Sequence, residues 1–134
     1  MATEILINDG GAPARILPYT VKSTDTITAG AACSIAADGT VQLANSADTG
    51  GQGFAYAGIA LTNAAAGEIC SLITGVGVIL NINVADLVAG QALMMGTLVP
   101  GQLIAATNAT TVPKAQAVCL EDTTLAGLHK CQTL

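Results

Sequence analysis

The stretch ALTNAAAGEICSLITGVGVIL, Ala60 to Leu80, decides what kind of chain this is. It carries one charge, Glu68, and then runs through apolar, largely β-branched residues interrupted by Gly75 and Gly77. Such a run can cross a membrane, cradle a phosphate or build a sheet. A membrane helix needs about 20 consecutive apolar residues. From Ile69 to Pro113, where Asp86 is the single charge, Ser, Asn, Gln, Gly and Pro instead recur every few positions. A dinucleotide loop of the form G-x-G-x-x-G would need its third glycine where Leu80 stands, and the residues beyond continue as a strand instead of opening a helix onto a phosphate. A sheet remains. Runs such as TVQLA, EICSLIT, GVGVILNI, QLIAAT, KAQAVCLE and LHKCQT are short, rich in Val, Ile, Leu and Thr, and bounded by Gly, Pro, Asn or Asp. Val76, Val78, Leu80 and Ile82 share one face by alternation, and Asn81 and Asn83 take the other. The quoted stretch therefore predicts two strands joined near Thr74 and Gly75. One helical turn is expected, NVADLVAG, with Asn83 as N-cap and Gly90 as stop. The fold class is all-β: short antiparallel strands and at most one short helix.

At 134 residues the chain is the size of one domain. Charged residues make up 10% of it, against about 25% in an ordinary soluble domain. A surface this neutral lacks the repulsion that keeps small proteins apart, so association with copies of itself or with a larger assembly is expected. The net charge of -5, with Arg15, Lys22, Lys114 and Lys130 as the whole basic complement, excludes phosphate-driven binding to nucleic acid. With no Trp, one Phe and two Tyr there is no platform on which bases stack. Glu4 and Asp9 fall where a secretory signal needs a basic start and an apolar core, so synthesis in a cytoplasm is expected. Cys33, Cys70, Cys119 and Cys131 lack the short spacings of zinc and redox motifs and read as small buried hydrophobes, disulfides being the alternative.

No constellation announces catalysis, a cofactor or a metal. His129 is the only histidine, so a zinc site would depend on scattered cysteines. A hydrolase built on Cys70 or Cys119 would need that same His129 as its base and a thiol of depressed pKa. Glu121 and Asp122 are adjacent, which in a strand sends them to opposite faces; they and Glu68 read as solvated turn residues. The chain is read as no enzyme, with no small-molecule substrate.

Internal similarity is more informative. TAGAACSIAADGTVQLA, from Thr28, echoes VAGQALMMGTLVPGQLIAA, from Val88, and AGIALTNAAAGEICSL echoes AQAVCLEDTTLAGLHKC. Gly90 follows Gly30 by 60 positions, and Gly127 follows Gly67 by 60. This points to an internal duplication over 28–72 and 88–134, with two hairpin pairs stacked into one sheet system. Ahead of it, residues 1–27 read as an extended N-terminal arm: Pro13 and Pro18 hold the chain extended, and Ile5, Leu6, Ile7, Ile16, Leu17 and Tyr19 give it apolar anchors. Ile5, Leu6, Ile7, Ile16, Leu17, Pro18 and Tyr19 are the candidate contacts to a capsid or neighbouring subunit, the ordinary edge strand being the alternative.

From Thr28 to Leu134 the rhythm of TAGAACSIAADGTVQLA, GIALTNAAAGEICSLITGVGVI, VAGQALMM and AVCLEDTTLAGLHKCQTL resembles the small bacteriophage capsid decoration, or cement, proteins. That resemblance implies a β-barrel or β-tulip domain over 28–134, a homotrimer, and a place on the outer surface of an icosahedral head, where the protein clamps neighbouring major capsid subunits. The partner is then the major capsid protein, with no direct contact to nucleic acid or membrane. A small ligand-binding β-barrel and another oligomeric structural or adhesive protein are the alternatives.

Overall fold

A computed structural model describes residues 5–8, 14–44, 56–86, 88–96, 99–106, 116–122 and 125–134. Among these residues there are eleven strands and no helix. In chain order they are β1 (Leu6–Asn8), β2 (Arg15–Thr20), β3 (Ala32–Ile35), β4 (Val41–Leu43), β5 (Tyr56–Ala60), β6 (Ile69–Thr74), β7 (Ile79–Val84), β8 (Ala92–Met95), β9 (Leu103–Ala105), β10 (Ala117–Cys119) and β11 (Gly127–Thr133). One sheet runs β2-β6-β5-β3-β4, and the other β1-β7-β11-β10-β8-β9.

The opening stretch straddles both sheets. β6 ends at Thr74, Gly75 to Val78 turn, and β7 starts at Ile79 in the other sheet, so the two strands join where expected without forming a hairpin. Gly77 sits at φ 77°, a left-handed conformation that suits glycine and breaks the extended run. The parity of the alternation resets there: Val78, Leu80, Ile82 and Val84 are buried, whereas Val76 is 76% exposed.

Setting β1 aside, the two sheets have the same strand order, β2, β6, β5, β3, β4 matching β7, β11, β10, β8, β9. Each also closes on itself through one parallel bridge, Val21 with Val41 and Val84 with Leu103. The bridges carry equivalent hydrogen bonds, Lys22 N–H to the Val41 carbonyl at 2.8 Å and Ala85 N–H to that of Leu103 at 3.0 Å. Elsewhere Gly30 N–H donates to Ala60 as Gly90 N–H donates to Cys119, and Leu61 to Ser71 as Leu120 to Lys130. Even a side-chain cap repeats: Asn63 Oδ1 accepts from Ala29 N–H, and Asp122 Oδ1 from Ala89 N–H. The matched units start at β2 and β7, ahead of the 28–72 and 88–134 segments that the sequence echo picks out.

The expected helical turn at Asn83 to Gly90 is not formed. Val84 is needed in the core and in the closing bridge, so Asn83 and Val84 stay extended in β7, and the chain then turns to Gly90 at φ 88°. One apolar cluster, with Val21, Ile27, Cys33, Val41, Cys70 and Leu72, fills the first sheet. A second joins Ala32, Ile59 and Ile73 of the first sheet to Leu80, Ile82, Leu93, Leu103 and Cys131 of the other. Burial at roughly 25 cal/mol per Å² of apolar surface thus acts between the sheets as well as within them. Backbone bonds add to the joint: Asn83 N–H donates to Gly30, Ala32 N–H to Gly101, and Gly101 N–H to Ala44.

Candidate interaction surface

The structure divides the candidate arm residues into two groups. Ile5 is buried in the cluster shared by both sheets, and Leu6 is half-buried opposite Leu80. Ile7 lies in β1, and its side chain is outside the described residues. Both strands of this segment belong to the chain's own sheets, because their apolar residues and free amides find partners there: β1 pairs with β7, and β2 pairs along its whole length with β6. The second group faces outward. Ile16 is 50% exposed, Leu17 and Pro18 are exposed, and Tyr19 is half-buried against the first sheet's own cluster.

The matched strand shows what an edge of this type can hold. In an antiparallel pair, alternate residues point their amides toward and away from the partner. Val21 N–H donates to Glu68 on the β6 side, so the amides of Tyr19 and Leu17 point inward and position 18 points to the free edge. Three residues before its own closing bridge, β7 has Asn81 in that place, and Asn81 N–H donates outward to the Ile5 carbonyl at 2.8 Å, holding β1. At the same place β2 has Pro18, which has no proton to donate. Among the described residues no strand pairs with the outer edge of β2. Leu80, under β1, is fully buried, while its counterpart Leu17 is 37% exposed. Proline here removes one of the amides, at 16, 18 and 20, that face the edge, which interrupts a ladder there, a device that protects sheet edges.

Two further apolar residues near this strand are exposed beyond what the sequence suggests. Ile69, paired with Thr20, is 62% exposed, and Val76 projects from the turn between β6 and β7. Val76 borders a cleft of about 300 Å³ with Tyr56 and Thr74 on one side and Gln116 and Leu134 on the other. Alternation alone assigns Val76 to the core; the glycine that follows it is the signal that the register restarts.

The groups weighed for chemistry have structural partners. His129 places Nδ1 3.2 Å from Glu121 Oε1 and Nε2 2.8 Å from the Leu125 carbonyl. Glu121, expected to be solvated, also accepts the Lys130 amide at 3.0 Å. That backbone bond, seconded by His129, holds its carboxyl below the usual range. Glu68 Oε1 accepts Ala65 N–H in the turn before β6. All four cysteines are free and buried. Burial pushes the thiols of Cys33, Cys70 and Cys131 up, away from the thiolate that a nucleophile needs. Cys70 lies in the other sheet from His129. Among the described residues no group of three or more His, Cys, Asp or Glu converges as a metal would require, and no helix is long and apolar enough to cross a membrane.

The architecture of two matched, self-closed sheets has a counterpart among solved structures. The chain shares its fold with the N base of a bacteriophage head fiber. The structure of the N base of head fiber gp8.5 from bacteriophage phi29 superimposes with a TM-score of 0.58, covering 90% of this chain and 95% of that one at 12% sequence identity. The neighbour is a phage head protein, the setting that the sequence resemblance implies; at this identity the likeness is one of fold. No protein-family model and no curated protein sequence matches the chain.

Proposed function

We propose that this chain is a structural component of a phage head, seated on the outer surface of the capsid as a homotrimer, where it holds neighbouring major capsid subunits together. The observation that carries the proposal is the fold shared along nearly the whole chain with a phage head fiber base. Low charge and a β2 edge that is apolar and interrupted by Pro18 support it. In this reading Ile16, Leu17, Pro18 and Tyr19 meet the shell or a sister subunit, with Ile69 and Val76 extending the contact. Each site needs only modest affinity, because many copies on one lattice raise the effective concentration. The buried contact area must then be re-exposed before capsomers separate, which resists internal pressure.

The test uses heads that lack the protein. Wild-type chain should co-sediment with them and raise their survival of heating and osmotic shock. The double variant Ile16→Asp, Leu17→Asp should stay folded but lose co-sedimentation at least tenfold. Equal survival of bare and saturated heads removes the clamping function; undiminished binding of the double variant removes the β2 surface.

A further inference from the structure

We propose that Cys119 and Cys131 form a two-electron oxidation site, a dithiol that closes to a disulfide across β10 and β11. The two residues are direct cross-strand partners. Leu120 N–H donates to the Lys130 carbonyl and Leu134 N–H to that of Gln116, which marks those pairs as hydrogen-bonded and places Cys119 and Cys131 at a non-hydrogen-bonded position. Opposed Cα atoms there approach to about 4.5 Å, inside the span of about 4.4–6.8 Å that disulfides bridge. Both side chains point to the same buried face, within one cluster. Cys119 Sγ contacts the Glu121 carbonyl and Cys131 Sγ that of His129, and the two thiols also interact with each other.

The matched sheet shows that the fold does not need sulfur at this place. Its equivalent pair, Ala60 opposite Leu72, is fully buried hydrocarbon. The first sheet also contains a control. Cys33 and Cys70 are equally buried, but they lie on β3 and β6 with β5 between them. Two strand spacings of about 4.8 Å put their Cα atoms beyond the reach of a disulfide.

The oxidant is a small disulfide such as oxidised glutathione. One cysteine thiolate attacks a glutathione sulfur, the glutathione S–S bond breaks and one glutathione thiolate leaves. The second cysteine thiolate then attacks the protein sulfur of the mixed disulfide, forming the Sγ–Sγ bond and expelling the second glutathione. Two electrons pass to glutathione disulfide, and the two thiol protons end on the two glutathione thiols. Because both cysteines are buried and burial disfavours the Cys131 thiolate, the first attack waits for β10 and β11 to part locally and admit water.

The sequence supplies a direct readout. Trypsin cleaves after Lys114 and Lys130, separating Cys119 on 115–130 from Cys131 on 131–134, while Cys33 and Cys70 stay together on 23–114. The full chain is equilibrated with oxidised glutathione, alkylated in denaturant and digested without reductant. The expected result is a fall from four titratable thiols to two, with 131–134 retained on 115–130 and Cys33 and Cys70 alkylated. Release of 131–134 with Cys131 alkylated or glutathionylated overturns the proposal, as does a bond between Cys33 and Cys70 formed equally readily. The variant Cys119→Ala, Cys131→Leu, which copies Ala60 and Leu72, should fold and keep both remaining thiols; loss of those two as well would show that burial geometry does not select the pair.

Discussion

Replacing Gly101 by alanine tests the joint between the two sheets. Gly101 accepts from Ala32 N–H at 2.9 Å and donates to Ala44 at 2.8 Å, so the second unit is sewn into the β3–β4 end of the first. Its φ is +83°, and an added Cβ would lie 2.8 Å from Leu43 Cδ2 and 3.3 Å from Ala31 Cβ. The left-handed backbone costs about 1–2 kcal/mol for a residue with a Cβ. Crowding a packed site adds about 1–3 kcal/mol, moderated by how far the half-buried Leu43 side chain can swing. Gly39 isolates the first term: its φ is +84°, and nothing lies within 4 Å of its Cβ position. A gain of about 0.4–1 kcal/mol from stiffening the unfolded chain offsets both substitutions alike. Gly101→Ala should therefore be less stable than Gly39→Ala by about 2 kcal/mol, within the range that overpacking produces. With no tryptophan in the chain, urea unfolding followed by far-ultraviolet circular dichroism is the suitable assay. A difference below about 0.5 kcal/mol, the usual scale of an innocuous surface change, would mean that Gly101 does not bind the two sheets together.

Two other predictions concern single side chains. Since the folded-state pKa of Glu121 is depressed, its stabilisation is present above the ordinary glutamate value of about 4.3 and is lost as pH falls through the folded value. Glu121→Gln, which keeps an acceptor oxygen for the Lys130 amide, should be less stable than wild type at neutral pH and converge with it in acid; a gap in urea midpoint that does not change with pH refutes this. Pro18→Asn restores an outward amide at the place where Asn81 holds β1, so sedimentation should detect concentration-dependent association beyond the wild-type oligomer. A monodisperse variant identical to wild type would show that proline does not guard the edge.

Much of this architecture is visible in local patterns. The alternation of Leu80, Ile82 and Val84 marks β7, and the 60-residue offset of Gly30 and Gly90 marks equivalent turns. Pairing between distant residues leaves no such trace. That β2 and β7 head equivalent units follows from the shared strand order and from the bridges Val21 to Val41 and Val84 to Leu103, which no local periodicity encodes. Residues 1–27 read as one extended arm because anchors such as Ile5 and Leu17 are alike in chemistry. They differ in what covers them: the joint core of both sheets over Ile5, and an edge open to solvent at Leu17. Val76 was assignable only by noticing that Gly77 ends one register and begins another.

The placement of β1 also bears on the order in which the structure can be completed during synthesis. Ile5 leaves the ribosome ahead of the first sheet, but its carbonyl is claimed by Asn81, which is made only after that entire sheet has emerged. The opening strand must wait, unpaired and apolar, while its neighbours close without it, and long-range pairings of this kind are slow to form. Residues translated before the first sheet are thus placed after it, and their docking reports that the partner strand of the second half has been built.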